Sequence, residues 1–282
     1  MELDYIRLVE ERREDLWTGL GDFSKVFTMS GTISRASITH GGAGARGPLD
    51  HLAYLKERRG EKIVAVDRAT GAVVGWIGVF PDRDARGAFH HLAGIEVHGD
   101  HRACGIGTGL MSAARAYVLA HRATRLRFGT SPLLVPCAAL YVTRFGTRYH
   151  WKEGVHLADG RPWPCVSCEC DFEDPLPPSR ELPPSEAAAR SVVTWDGGLP
   201  VRRRDILYSG ALSVVLPPFT TAALSQAMQA VPRFIETMYA AFEELYLHGY
   251  GFAWFARRDA AADPGADPRL NHYHVMTRSF AL

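Results

Sequence analysis

Arg102-Ala103-Cys104-Gly105-Ile106-Gly107-Thr108-Gly109-Leu110 stands between a stretch patterned as a strand and one patterned as a helix. The first amides of a helix have no partner inside it, and the aligned peptide dipoles put partial positive charge there. A diphosphate can therefore take several backbone N–H groups at once at such a place. Glycines let the backbone come close, Arg102 can add a charge-assisted contact, and Thr108 offers a hydroxyl near the first helical turn. Two rival phosphate motifs do not fit. There is no Gly-x-x-x-x-Gly-Lys-Ser/Thr, and the turn follows about three strands instead of opening an N-terminal strand–helix–strand unit.

Upstream of the turn, residues 89–97 read as a strand, and strict alternation places His91, Ala93, Ile95 and Val97 on one face. Downstream, Leu110, Ala114, Tyr117, Val118 and His121 recur at helical spacing over 107–123. Further out, 5–9 reads as a strand, 10–23 as helical, 30–47 as a long Gly- and Ser-containing connection, and 48–59 as a helix opened by Pro48. Strands follow at 62–67 and 72–80, joined by the tight connection 68–71. Past the central helix come a strand at 126–129, a short helix at 136–145, and strands at 147–151 and 164–172. This order asks for an α/β fold, a mixed sheet with helices on its faces. The Pro-rich segment 175–185 marks an expected boundary between a first domain, 1–174, and a further α/β region, 186–282. In that region 205–216 is β-like, 220–248 is helical with a break at Pro232, and 250–257 and 271–280 close it as strands. Phe234, Met238, Phe242 and Leu245 make one apolar stripe.

Lys+Arg 32 against Asp+Glu 31 leaves a net charge of +1, so no overall field draws in nucleic acid or an anionic membrane. No stretch approaches the roughly 18 continuous apolar residues of a membrane span. The first fifteen residues are charged and lack the pattern of a signal peptide, which makes the cytoplasm the expected location. Cys165, Cys168 and Cys170 crowd together without the spacing of a disulfide framework or the paired turns of a zinc site. They are expected as reduced thiols in a strand, with no metal.

Arg102-x-x-Gly105-x-Gly107 resembles the Gln/Arg-x-x-Gly-x-Gly/Ala turn of the GCN5-related N-acetyltransferases (GNAT), matching it at every defined position. The resemblance extends to His91-Leu-Ala-Gly-Ile-Glu-Val97, similar to arylalkylamine-type members with a histidine base six residues before the corresponding valine. It extends also to Leu140-Tyr141, similar to a segment whose tyrosine sits near the departing thiolate. Here Gly146 falls five residues after Tyr141, where relatives place it four after. The resemblance implies a GNAT-type acyl-CoA N-acyltransferase fold. It also implies acetyl-CoA or another acyl-CoA as co-substrate, its diphosphate held by Arg102, Ala103, Cys104, Gly105, Ile106, Gly107, Thr108 and Gly109. The pantetheine would run beside Ile95 and Val97.

Acetyl transfer to an amine needs a group to take the amine's proton, and an imidazole with an ordinary pKa near 6.5 suits that work. His91 lies about 20 Å from Val97 at roughly 3.3 Å per residue, comparable to an extended pantetheine arm. Glu96 is the next candidate, expected on the opposite face with His90. Tyr141 is the candidate acid for the leaving thiolate. Cys104 and Cys137 raise a covalent route, against which direct transfer is preferred because nothing pairs them with a histidine. The expected acceptor is a primary amine of a small molecule, an aromatic-rich 186–282 region suggesting a closed pocket or a homodimer face. The alternatives are a non-catalytic acyl-CoA-binding module, a protein N-acetyltransferase and, disfavoured by the charge, an RNA-directed one. Arg202-Arg203-Arg204 reads as a solvated run before a strand.

Overall fold

A computed structural model describes residues 1–13, 15–18, 48–157, 160–175, 189–196, 199–217, 233–257 and 272–278, with 186, 224, 226 and 227. Of the helix expected over 10–23, residues 10–12 form a turn and only Asp15–Thr18 is helical, while 14 and 19–23 lie outside the described residues. So do the connection 30–47, the Pro-rich segment beyond 175, Pro232, and the turn near 263–268.

The β-branched and aromatic runs become strands and the amphipathic runs helices. Their order begins β1 (Leu3–Arg7), α1 (Asp15–Thr18), α2 (Pro48–Glu57), β2 (Glu61–Asp67), β3 (Val73–Asp84), β4 (Gly87–Val97) and α3 (Ile106–Ala120). β5 (Arg125–Thr130) and α4 (Val135–Ala138) follow, and α4 runs on as a π-helical turn over Ala139–Arg144. Then come β6 (Arg148–Trp151), β7 (Val166–Asp171), β8 (Val193–Asp196), β9 (Leu199–Arg202), β10 (Leu212–Leu216), α5 (Phe234–Leu247), β11 (Tyr250–Arg257) and β12 (His272–Arg278). Seven strands make one mixed sheet in the order β1-β2-β3-β4-β5-β7-β6, while β10-β12-β11 and the β8–β9 hairpin are separate. This is the mixed α/β architecture expected. Among the described residues no helix is long and apolar enough to cross a membrane.

The chain forms two compact units that interleave along the sequence: Met1–Arg35, His40–Phe128 and Glu169–Asp174 in one; Ala36–Thr39, Gly129–Cys168 and Pro175–Leu282 in the other. In the first unit the sheet has a helix on each face. Leu52 of α2 packs with Leu8, Val64, Val66 and Trp76, and Tyr54 and Leu55 pack with Phe80. On the other face α3 buries Ile106, Leu110, Met111, Ala114, Tyr117 and Val118. Each Leu, Ile, Val or Met side chain among these contributes about 1.5–3 kcal/mol when fully removed from water. His121 departs from the expected apolar stripe. It is the exposed C-cap of α3, with Nδ1 2.8 Å from the Tyr117 carbonyl and Nε2 3.3 Å from Glu10.

In the second unit the stripe Phe234, Met238, Phe242 and Leu245 is fully buried. Its rings join a core cluster: Phe242 lies 5.6 Å from Phe252 and 5.9 Å from Trp151, and Phe252 lies 5.2 Å from His274. Most of the aromatics that suggested a closed pocket are thus taken up in packing. The hairpin β8–β9 was not expected from the sequence, and Arg202 ends β9 instead of preceding a strand. Arg202 pairs with Glu244 at 2.9 Å and Arg203 with Asp205 at 2.7 Å, so two members of the basic run hold structure.

Candidate active site

After β4 the chain passes through a 3₁₀ turn at Gly99–His101 and then places Ala103 (φ 61°) and Gly105 (φ 81°) in the left-handed region. Left-handed residues in such a turn aim successive N–H groups into one concavity. Ala103 accepts a cost of about 1–2 kcal/mol for that conformation, whereas at Gly105 it is free of the Cβ clash. Gly105 is the N-cap of α3, no side chain caps the helix there, and residues 102–105 are exposed. Arg102 Nε donates to the Val97 carbonyl at 3.3 Å, tying the turn to the end of β4. These exposed amides at a helix head fit a diphosphate, the acidic part of a coenzyme A thioester.

Individual turn residues differ in what they offer. Ile106 is 1% exposed, a core side chain that can serve a ligand only through its amide. The Thr108 hydroxyl stands at the surface, and its carbonyl accepts from Ser112 Oγ at 2.9 Å. Gly109 lacks a side chain for a packing reason, since a Cβ there would run into Tyr5 Oη. Cys104 is exposed.

β4 pairs in parallel with β5 at His90↔Leu126 and His91↔Arg127, and it pairs antiparallel with β3 from Gly87 to Val97. Charge pins the paired strands. Arg125, 3% exposed, grips Asp84 through two bonds of 2.8 and 3.0 Å, and Arg127 contacts Asp84 and Glu169 at 2.7 Å each. Those guanidinium groups hold the Asp84 carboxyl far below its ordinary range.

The expected common face of His91, Ile95 and Val97 is not what forms. Register shifts between Gly78↔Gly94 and Val79↔Leu92, a β-bulge that inserts Ala93. One extra residue reverses the alternation beyond it. His91 therefore shares a face with Gly94 and Glu96, opposite Phe80 and Trp76, while Ile95 and Val97 share the α3 face with His90. Glu96, expected opposite His91, stands on its side. Gly94 (φ 139°) sits against Trp76, where a Cβ would lie 2.8 Å from the ring.

His91 Nε2 lies 2.9 Å from Asp82 Oδ2, and its ring is flanked by Phe80 at 4.8 Å and Phe89 at 4.9 Å. Burial raises the Glu96 carboxyl to about 7 against the pull of Arg102 and Lys62. Lys62 is buried, its ammonium 4.2 Å above the Trp76 ring, and desolvation pushes its pKa well below the ordinary value. His90 is 2% exposed and held neutral by burial, with its pKa lowered to about 4. Tyr141 belongs to the second unit, in the π-helical turn. It is buried, and desolvation, with Cys137 and Cys168 nearby, raises its hydroxyl well above the usual value. Cys168 and Cys170 are buried on β7, and among the described residues no three His, Cys, Asp or Glu are grouped as a metal would need.

Sequence reasoning missed Asp82 because Pro81 reads as a strand end. β3 in fact continues to Asp84, since Pro81 lies past the last β2 pair, Glu61↔Val79, where the strand has a neighbour on one side only. A cavity of about 780 Å³ lined by Val9, Glu10, Glu61, Tyr117 and His121 among others lies at the opposite end of α3 from the turn and includes none of the expected site residues.

The profile of the Acetyltransferase (GNAT) family matches residues 38–147. A GCN5-related N-acetyltransferase from Kribbella flavida is similar at 15% identity over 60% of this chain and 97% of its own, with a TM-score of 0.45. A GNAT-family acetyltransferase from Staphylococcus aureus MU50 is similar at 16% identity over 61% and 99%, with a TM-score of 0.41. A chain of the NatC complex bound to Gag peptide and CoA is similar at 14% identity over 61% and 99%, with a TM-score of 0.44. No curated protein sequence matches the chain. The turn, β4 and the Tyr141 segment all lie within the matched residues, so residues 38–147 carry a domain of the acetyltransferase (GNAT) family, a family of acetyl-CoA-dependent acyltransferases.

Proposed function

We propose that the chain moves an acetyl group from acetyl-CoA directly to a primary amine of a small molecule. The observation that carries this is the exposed head of α3 at Arg102–Gly105, which no side chain caps, tied by Arg102 to the end of β4, the strand that carries a carboxylate-paired histidine. His91 takes the proton of the ammonium or of the attacking amine, the amine nitrogen forms a bond to the thioester carbonyl carbon, and the C–S bond breaks. β4 amides between Leu92 and Val97 polarise the carbonyl oxygen. Tyr141 returns a proton to the thiolate; its raised pKa keeps it in the protonated form that a donor needs. Ile95 and Val97 border the thioester through their backbone. The aromatic rings beside His91 support a small acceptor with an apolar part, and the cytoplasm is the proposed location.

Calorimetry with coenzyme A and acetyl-CoA, and thiol release with a panel of small amines and peptides, test the reading together. His91→Ala is expected to lower turnover by about 100-fold or more with coenzyme A affinity kept. Absence of any coenzyme A binding by the wild type would remove the whole proposal, and turnover on peptides alone would replace the small acceptor by a protein.

A further inference from the structure

We propose that Asp82 is a positioning residue for His91, fixing the imidazole in the tautomer and orientation that leave Nδ1 to accept the acceptor's proton; this rests on His91 being the base. Phe80 is directly opposite His91 and Asp82 directly opposite Phe89, so Asp82 and His91 are diagonal neighbours on one face of the hairpin. Their side chains meet at 2.9 Å. The Arg83 amide donates to Asp82 Oδ1 at 2.8 Å, which orients the carboxylate and turns Oδ2 to the imidazole.

An ionised carboxylate only accepts hydrogen bonds, so the nitrogen facing it must carry the hydrogen. That makes Nε2 the donor and puts the lone pair on Nδ1. The ring is kept from turning by Phe80, tilted 34° at 4.8 Å, and Phe89, edge-on at 4.9 Å. The cations nearby are occupied with the same rings: Arg58 lies over Phe80 at 5.0 Å and Arg127 over Phe89 at 4.4 Å. Glu96, on the same face of β4, is the other carboxylate of this region. In the step itself the acceptor's N–H bond breaks, its electron pair stays on nitrogen for attack, the proton passes to Nδ1, and Asp82 stabilises the resulting imidazolium. Serine hydrolases hold their histidine by the same logic on an unrelated fold.

The pH dependence of kcat/KM for Asp82→Asn, Asp82→Glu and His91→Ala, with acetyl-CoA and an amine that the wild type turns over, decides the matter. Asp82→Asn is expected to lower the plateau roughly 10- to 1,000-fold. It is also expected to move the acid limb to lower pH, because the imidazolium loses a counter-charge. Asp82→Glu recovers part of the plateau, and KM for acetyl-CoA stays unchanged. A plateau and limb like the wild type's in Asp82→Asn, beside an inactive His91→Ala, would overturn the role of Asp82 alone. An active His91→Ala would instead overturn the base. Nitrogen NMR of wild-type His91 is independent of whether the variants fold: the Nε2–H tautomer is expected, and the Nδ1–H tautomer sinks the proposal.

Discussion

At the scale of single residues, environment separates groups that look alike in the chain. Glu96 and Asp82 are both carboxylates on the His91 face of the β3–β4 hairpin, yet burial raises Glu96 to about 7 while the Arg83 amide and His91 lower Asp82. Glu96 has a folded-state pKa above its ordinary 4.5, so the folded chain retains a proton that the unfolded chain loses. Its contribution therefore falls as pH rises from 4.5 to about 7. Glu96→Gln should remove that slope and gain on the order of 1–3 kcal/mol at pH 8 relative to pH 5, read by urea unfolding at the two values. His91 was legible as a candidate from residue type, distance to the turn and the family resemblance, and Tyr141 from the resemblance of its segment alone. Asp82 was not, because its partner is set by hairpin register and not by sequence spacing.

At the scale of elements, the strand–turn–helix unit depends on close contacts as much as on the motif. Gly109 on α3 is pressed against Tyr5 of β1. Gly109→Val should cost about 1–3 kcal/mol by overpacking, with Tyr5→Ala in the same chain recovering part of it. A double-mutant cycle from thermal or urea unfolding measures the coupling, and simple additivity would dissociate the two residues. β4 shows how one inserted residue changes a site. The element was legible from its β-branched and aromatic run, but the bulge at Ala93 reverses which side chains share a face, and only pairing with β3 reveals it. The π-helical turn over Ala139–Arg144 was likewise expected as a simple helix.

At the scale of the molecule, each unit contains a buried neutral histidine. His90 in the first and His274 in the second are lowered to about 4 by burial, and His274 Nε2 lies 2.6 Å from the Pro132 carbonyl. Below pH 6.5 the unfolded chain takes up protons that these two folded-state groups refuse. Stability should therefore drop as pH falls from 6.5 toward 4, by about 1.4 kcal/mol per pH unit for each histidine. This trend opposes the one from Glu96, so the wild type should be most stable near neutrality. Urea unfolding from pH 5 to pH 8 checks the curve, and a rise in stability on going from pH 6.5 to pH 5 would contradict it.

The turn 102–109, the apolar stripes of α3 and α5 apart from His121, and the strand runs other than β8 and β9 were determined by local patterns, because a helix head, a 3.6-residue period and a β-branched run are properties of neighbours in the chain. Tertiary structure alone decided the face on which His91 sits, its pairing with Asp82, and the use of most of the C-terminal aromatics as core. Those depend on which strands meet and in what register, and a single bulge shifts that register without leaving a mark that periodicity can read.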